Sequence, residues 1–199
     1  MEPNEPKPGT LVILVGGSGV GKGELMKCVL AEVPWLGHAR SWTSREQRKG
    51  EADHAYHFVA REVFERMINE GQFLEYAQPF KDDPVRPRPD YYGRTAESFA
   101  LLEQGTSCIC DMTEHGVARL QELIGEGKFP YRIIVMRVIA KNRREVLART
   151  QERAASDLRR RTEIMIRIDQ EVDNDFSPGG LERSKIALVH LILELLRVG

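Results

Sequence analysis

The sequence predicts an α/β fold, a parallel sheet flanked by helices, and three observations carry that prediction. Residues 11–15 form an apolar run that stops at Gly16 and Gly17, the pattern of a strand buried on both faces before a tight turn. Further apolar runs at residues 107–110 and 131–139 alternate with stretches of helical periodicity, and strands that alternate with helices pack as a parallel sheet. Residues 181–196 then repeat apolar side chains at helical spacing, as a closing helix would.

Length and composition set the frame. At 199 residues and 41% hydrophobic, the chain suffices for one core with smaller excursions. The 29 Lys and Arg against 30 Asp and Glu leave no whole-molecule field for nucleic acid or a lipid surface, so any anion site is local. Cys28, Cys108 and Cys110 are odd in number and lack metal-ligand spacing, and the five histidines show none either. A reducing, cytoplasmic setting is expected. No run approaches the roughly 20 apolar residues of a membrane span, so no membrane association is expected.

The elements follow in order. Residues 1–9 carry three prolines and no apolar run, and read as a loose leader. After the strand at 11–15, a helix is expected from Lys22 to about Val33. Residues 38–104 change texture: short strands near 56–59 and 73–77 flank a helix at 61–69, then comes a proline-rich extended loop at 81–90 and a helix at 95–104. A strand at 107–110 ending in Asp111, a helix at 117–123 and a strand at 131–139 continue the core. Residues 142–169 are nearly free of breakers and rich in arginine, too polar for a core helix pair, so this arm is expected to project from the sheet. Thus 10–199 form one domain: core at about 10–37, 105–141 and 170–199, an insertion at about 38–104 and a lid at about 142–169.

The chemistry begins at Gly16-Gly17-Ser18-Gly19-Val20-Gly21-Lys22, a GxxxxGK pattern between a buried strand and a helix. Glycines let successive N–H groups point inward, the helix N-terminus adds positive potential, and Lys22 reaches toward β and γ phosphates. This makes the core P-loop NTPase-like. The Ser or Thr that usually follows the lysine to ligate magnesium is Gly23 here, followed by Glu24. Glu24 either meets the nucleotide phosphates or turns outward to favour the helix N-terminus.

Next stand Ser41, Thr43, Arg45, Arg48, Gly50 and Glu51, then Tyr56, Phe58 and Val59. In this order and spacing the chain resembles the guanylate kinases, specifically over residues 11–116 and more loosely to 168. The resemblance implies a nucleoside monophosphate kinase that uses ATP and Mg2+ to phosphorylate GMP, with dGMP left open as a second acceptor, within a small NMP-binding subdomain and an Arg-rich lid. It also implies site residues. Ser41, Arg45, Arg48, Glu51, Tyr56 and Tyr92 serve the acceptor nucleotide, and forked arginine donors suit its phosphate. Glu75 accepts from guanine N1–H and the 2-amino group. Asp111, the first acid of an Asp-x-Asp pattern, contacts a magnesium-bound water or a ribose hydroxyl, with no direct metal ligand; the second acid is Thr113 here. Where the family has a hydroxyl after Tyr-Gly, this chain has Arg94, which either reads the O6/N7 edge of guanine or points to solvent. Arg149, Arg153 and Arg167 match the lid, and with Lys22 and Arg48 are the catalytic candidates. Asn174 stands where an adenine-side contact is expected, but the family's last core strand is not visible before it.

Two other readings remain open on the sequence. One is a binding module of this fold that has lost catalysis, favoured by Glu24, Arg94, Thr113 and the thin C-terminal match. The other is a kinase of the same build acting on another phosphorylated small molecule, for which Arg94 and the lengthened loop leave room.

Overall fold

The computed structural model describes residues 8–17, 19–52, 55–79, 88–140, 165–177 and 179–197. The expected leader up to residue 7, Ser18, most of the proline-rich loop and the lid through residue 164, with Arg149 and Arg153, lie outside the described residues.

The core begins with β1 (Thr10–Val15), α1 (Lys22–Glu32) and β2 (Gly37–His38). The insertion adds β3 (Trp42–Thr43), β4 (His57–Phe58), α2 (Arg61–Asn69), β5 (Phe73–Ala77) and β6 (Tyr92–Thr95). A 3-10 turn at Ala96–Phe99 leads into α3 (Ala100–Glu103), so the single helix expected at 95–104 is two short pieces. The core resumes with β7 (Cys108–Asp111), α4 (Glu114–Gly125), β8 (Arg132–Ile139), β9 (Gln170–Asp173) and α5 (Gly180–Arg197).

The main sheet has the order β2-β7-β1-β8-β9, and each pairing is parallel. Its centre explains the apolar run: every residue of Leu11–Val15 is fully buried because β1 is covered on both faces. Leu11, Ile13 and Val15 face Val117, Leu120 and Leu123 of α4, with Phe99 and Phe129. Val12 and Leu14 face Leu25 and Val29 of α1 and Leu188 and Ile192 of α5. Each such aliphatic side chain contributes about 1.5–3 kcal/mol by leaving water. Cys108 and Cys110 alternate onto the first of these clusters, where burial pushes their thiols up to about 11 and about 12, and both are free. No helix among the described residues is long and apolar enough to cross a membrane.

The last core strand, missing from the sequence reading, is present as β9. It pairs with β8 from Met136 beside Gln170 to Ile139 beside Asp173. Asp169 fixes the register by exchanging bonds with Val135: Asp169 N–H donates to the Val135 carbonyl and Val135 N–H donates to Asp169 Oδ2, at 2.9 and 2.8 Å. As an edge strand it buries only Val172, so its sequence carries no apolar run.

The small sheet has the order β4-β3-β6-β5. Its own core is aromatic: Phe64 of α2 stacks on Phe73 and Tyr91, with ring centroids 4.4 and 5.2 Å apart. Because side chains alternate along a strand, the register places Thr43, Tyr92, Arg94 and Glu75 on one face of this sheet, and Trp42, Tyr76 and Thr95 on the other. The first face is the one that matters for chemistry.

Candidate active site

The glycine loop leaves the C-terminal end of β1, the end where parallel sheets place their ligands. Gly16, Gly19 and Gly21 have φ of 149°, 80° and 87°, conformations that exclude most side chains. Gly21 caps α1, and a Cβ there would overlap the Asn174 amide. Lys22, the first residue of α1, donates from Nζ to the carbonyls of Gly16 and Gly17 at 2.6 and 3.0 Å. Gly23 is exposed and has no side-chain oxygen to offer a metal. Glu24 is exposed and pairs with Lys27 at 3.0 Å, so of its two expected orientations the structure has the outward one.

Asn174, expected against adenine, is instead fully buried beside this loop, with its Nδ2 donating to the Val20 carbonyl at 2.8 Å. Its Oδ1 is buried with no partner among the described residues.

In the insertion, Arg45 and Glu51 form a two-pronged pair, Nη1 to Oε2 at 3.0 Å and Nη2 to Oε1 at 2.8 Å. That bond to Arg45 holds the Glu51 carboxyl below its ordinary value. Glu51 also accepts from the exposed Arg48 through its backbone N–H. The Arg45 guanidinium lies over the rings of Tyr56 and Phe58, 5.3 and 5.5 Å from their centroids. Tyr56 and Tyr92 meet edge to face at 6.1 Å, and burial pushes both hydroxyls up, which keeps them as donors. The Arg45 guanidinium and two tyrosine hydroxyl donors thus converge where an anion is expected, with the exposed Arg48 next to Glu51. Ser41 is buried at the rim, its carbonyl accepting from His57 N–H.

Glu75 is 5% exposed and Arg94 3% exposed, so Arg94 does not point to solvent. Glu75 Oε1 lies 2.9 Å from Arg94 Nη1. Arg94 Nε donates to the Ala39 carbonyl at 3.2 Å, and Nη2 donates to the Asp111 carbonyl. Burial pulls the Arg94 guanidinium down, but Cys110, Glu75 and Asp111 outweigh it, so the net direction is up. Burial pushes Glu75 up despite Arg94 beside it. Asp111 ends β7 beside Leu14 of β1, with its carboxylate partly open. Among the described residues no cluster of three acidic, histidine or cysteine side chains could hold a metal ion directly, and Asp111 is the partly open carboxylate at the end of β7.

Thr113 and Arg167 each have structural partners of their own. Thr113 is the N-cap of α4, its hydroxyl accepting from Gly116 N–H at 3.1 Å, which is a sufficient reason for a threonine there. Arg167 is 84% exposed, pairs with Asp169, and bonds through its backbone to Gln121 of α4. It precedes the level of Val135 and Ile13, toward the N-terminal side of the sheet and away from the glycine loop.

Gly116, which the sequence reading passed over, belongs to the site. A Cβ there would stand 2.7 Å from Glu75 Oε2, so only glycine lets β5 close on α4 with the carboxylate in place. Its one sequence signal is a glycine in the first turn of a helix, where alanine would serve the helix better.

The guanylate kinase family model matches residues 8–178. The guanylate kinase of Symbiobacterium thermophilum is 37% identical over 123 residues, covering 60% of this chain and 54% of the relative, so the chain spans about half the length of that relative. The guanylate kinase of Trichormus variabilis is 30% identical over 197 residues, covering 92% and 91%. The crystal structure of guanylate kinase from Anaplasma phagocytophilum superposes with a TM-score of 0.66 at 19% identity, over 96% of this chain and 87% of that one, which supports the fold. With the glycine loop, the two-sheet architecture and a match over most of its length, the chain belongs to the guanylate kinase family.

Proposed function

We propose that this protein transfers the γ-phosphoryl group of ATP to GMP, giving ADP and GDP, and acts in the cytoplasm. The observation that carries the reading is the pairing of a GxxxxGK loop with an opposed site holding Arg45, Arg48, Tyr56 and Tyr92 beside a buried Glu75. One site suits a triphosphate, the other a monophosphate on a base with paired N–H donors.

Lys22 exchanges its bonds to the Gly16 and Gly17 carbonyls for phosphate oxygens, while the loop N–H groups from Gly17 to Gly21 cradle the β-phosphate. Arg45, Arg48, Tyr56 and Tyr92 orient the acceptor phosphate; one of its oxygens bonds to the γ-phosphorus as the bond to the β-phosphate oxygen breaks. Asp111 would hold magnesium through water, and the ion, when bound, would supply charge neutralisation at the phosphates. Arg149 and Arg153, outside the described residues, are the further candidates for neutralising charge on the transferring group.

The features that favoured a binding-only module carry less weight on this structure. Glu24 turns away from the phosphates, β9 is present, and Thr113 has a structural role.

The test is ADP release with ATP·Mg and each of GMP, dGMP, AMP, CMP and UMP, repeated with Lys22→Ala. Turnover with guanine nucleotides that disappears in the variant supports the reading. Silence with all five from folded protein rejects it.

A further inference from the structure

Glu75 and Arg94 are cross-strand partners in β5 and β6, and both side chains are buried. The Arg94 fork is held on three sides, by Glu75 Oε1, the Ala39 carbonyl and the Asp111 carbonyl. These bonds leave one hydrogen on each of Nη1 and Nη2. A buried pair of this kind cannot be opened from one side alone, because the abandoned partner keeps an uncompensated charge away from water. Any base that takes the Glu75 carboxylate must therefore give Arg94 something in return.

The geometry points to Arg94 as a second reader of the acceptor base: it takes O6 and N7 of guanine through Nη1 and Nη2 while Glu75 takes N1–H and the 2-amino group. This rests on the guanine reading above and deepens it. Guanine presents two donors followed along the same rim by two acceptors. A carboxylate and a guanidinium side by side on neighbouring strands, with Cβ atoms about 5 Å apart, match that order. The Glu75–Arg94 ion pair is then the contact that the base replaces, and each charge is satisfied before and after. Adenine fails both halves, since it places an amino group against the Arg94 donors and offers no N1–H to Glu75. The fork also ties this readout to the core, because Ala39 follows β2 and Asp111 ends β7 while Arg94 itself belongs to the small sheet.

The experiment is calorimetric titration of the full chain, and of Arg94→Ser, with GMP and with 7-deaza-GMP. The analogue replaces the N7 acceptor by C–H and keeps O6, N1–H, the 2-amino group and the phosphate. Binding of 7-deaza-GMP to the unaltered protein should be weaker than that of GMP on the order of tenfold, the loss of one charged hydrogen bond. Arg94→Ser should bind the two alike. Equal affinities in the unaltered protein, or the same loss in both proteins, would overturn the assignment of N7 to Arg94 while leaving the guanine reading in place. The unaltered protein decides the question even if Arg94→Ser fails to fold. Failure of both folded proteins to bind GMP would instead reject the guanine reading, and this inference with it.

Discussion

The side-chain amide of Asn174 donates to the carbonyl of Val20 at 2.8 Å and so ties the end of the last core strand to the glycine loop. The two residues are 154 positions apart, and the contact lies in a space that Gly21 leaves open by having no Cβ. A loop that must present several N–H groups to a phosphate gains from such an anchor, because preorganised donors need no rearrangement on binding.

Asn174→Ala should therefore raise the KM for ATP about fivefold, as expected for a buried hydrogen bond of about 1 kcal/mol, and leave the KM for GMP nearly unchanged. Steady-state kinetics with each substrate varied in turn checks this. An unchanged KM for ATP would remove the anchoring role.

Gly116→Ala should act on the other substrate. The added methyl meets Glu75 Oε2 and Met112, and such overpacking costs about 1–3 kcal/mol. The KM for GMP should rise on the order of tenfold. Gly125→Ala on the same helix is the control: nothing lies within 4 Å of its Cβ, and thermal denaturation should show a gain of about 0.5–1 kcal/mol.

Glu51 links the acceptor-phosphate site to pH. The bond to Arg45 holds its folded-state pKa below the ordinary 4.5, so its contribution to stability is present above that value and is lost as pH falls through the folded one. Glu51→Gln should lower the melting temperature at pH 7, and the difference from the unaltered protein should shrink toward pH 3. A difference that stays constant across this range would show that the carboxylate charge is not what Arg45 needs.

Val172 is the inward residue of β9. Val172→Ala should lower stability by roughly 2 kcal/mol, from the lost methyl groups and the space left behind, measured by urea denaturation. A negligible change would mean that β9 is not part of the cooperative core.

These elements also show where local sequence is informative. Helix α2 and strand β5 have the bounds that periodicity assigns, because Gly71 breaks the chain between them and each buries one clear face. Strand β1 was legible because burial on both faces forces a continuous apolar run. Strand β9 was not, since an edge strand with Gln170 and Glu171 exposed has no pattern to read. The glycine loop is local in sequence and was legible, whereas Arg45 and Glu51 were read as acceptor-site residues and not as partners of each other. The Arg94 partners are not: Ala39, Glu75 and Asp111 lie 55, 19 and 17 positions away, and only the meeting of the two sheets brings them to one fork.

The most direct test of the central claim is to follow the phosphoryl group itself, incubating the protein with ATP labelled in the γ-phosphate, Mg2+ and GMP, then separating the nucleotides. The account predicts label in the β-phosphate of GDP, in step with ADP formed, and none with Lys22→Ala. Label found only in inorganic phosphate, or retained in ATP by folded protein, would contradict it.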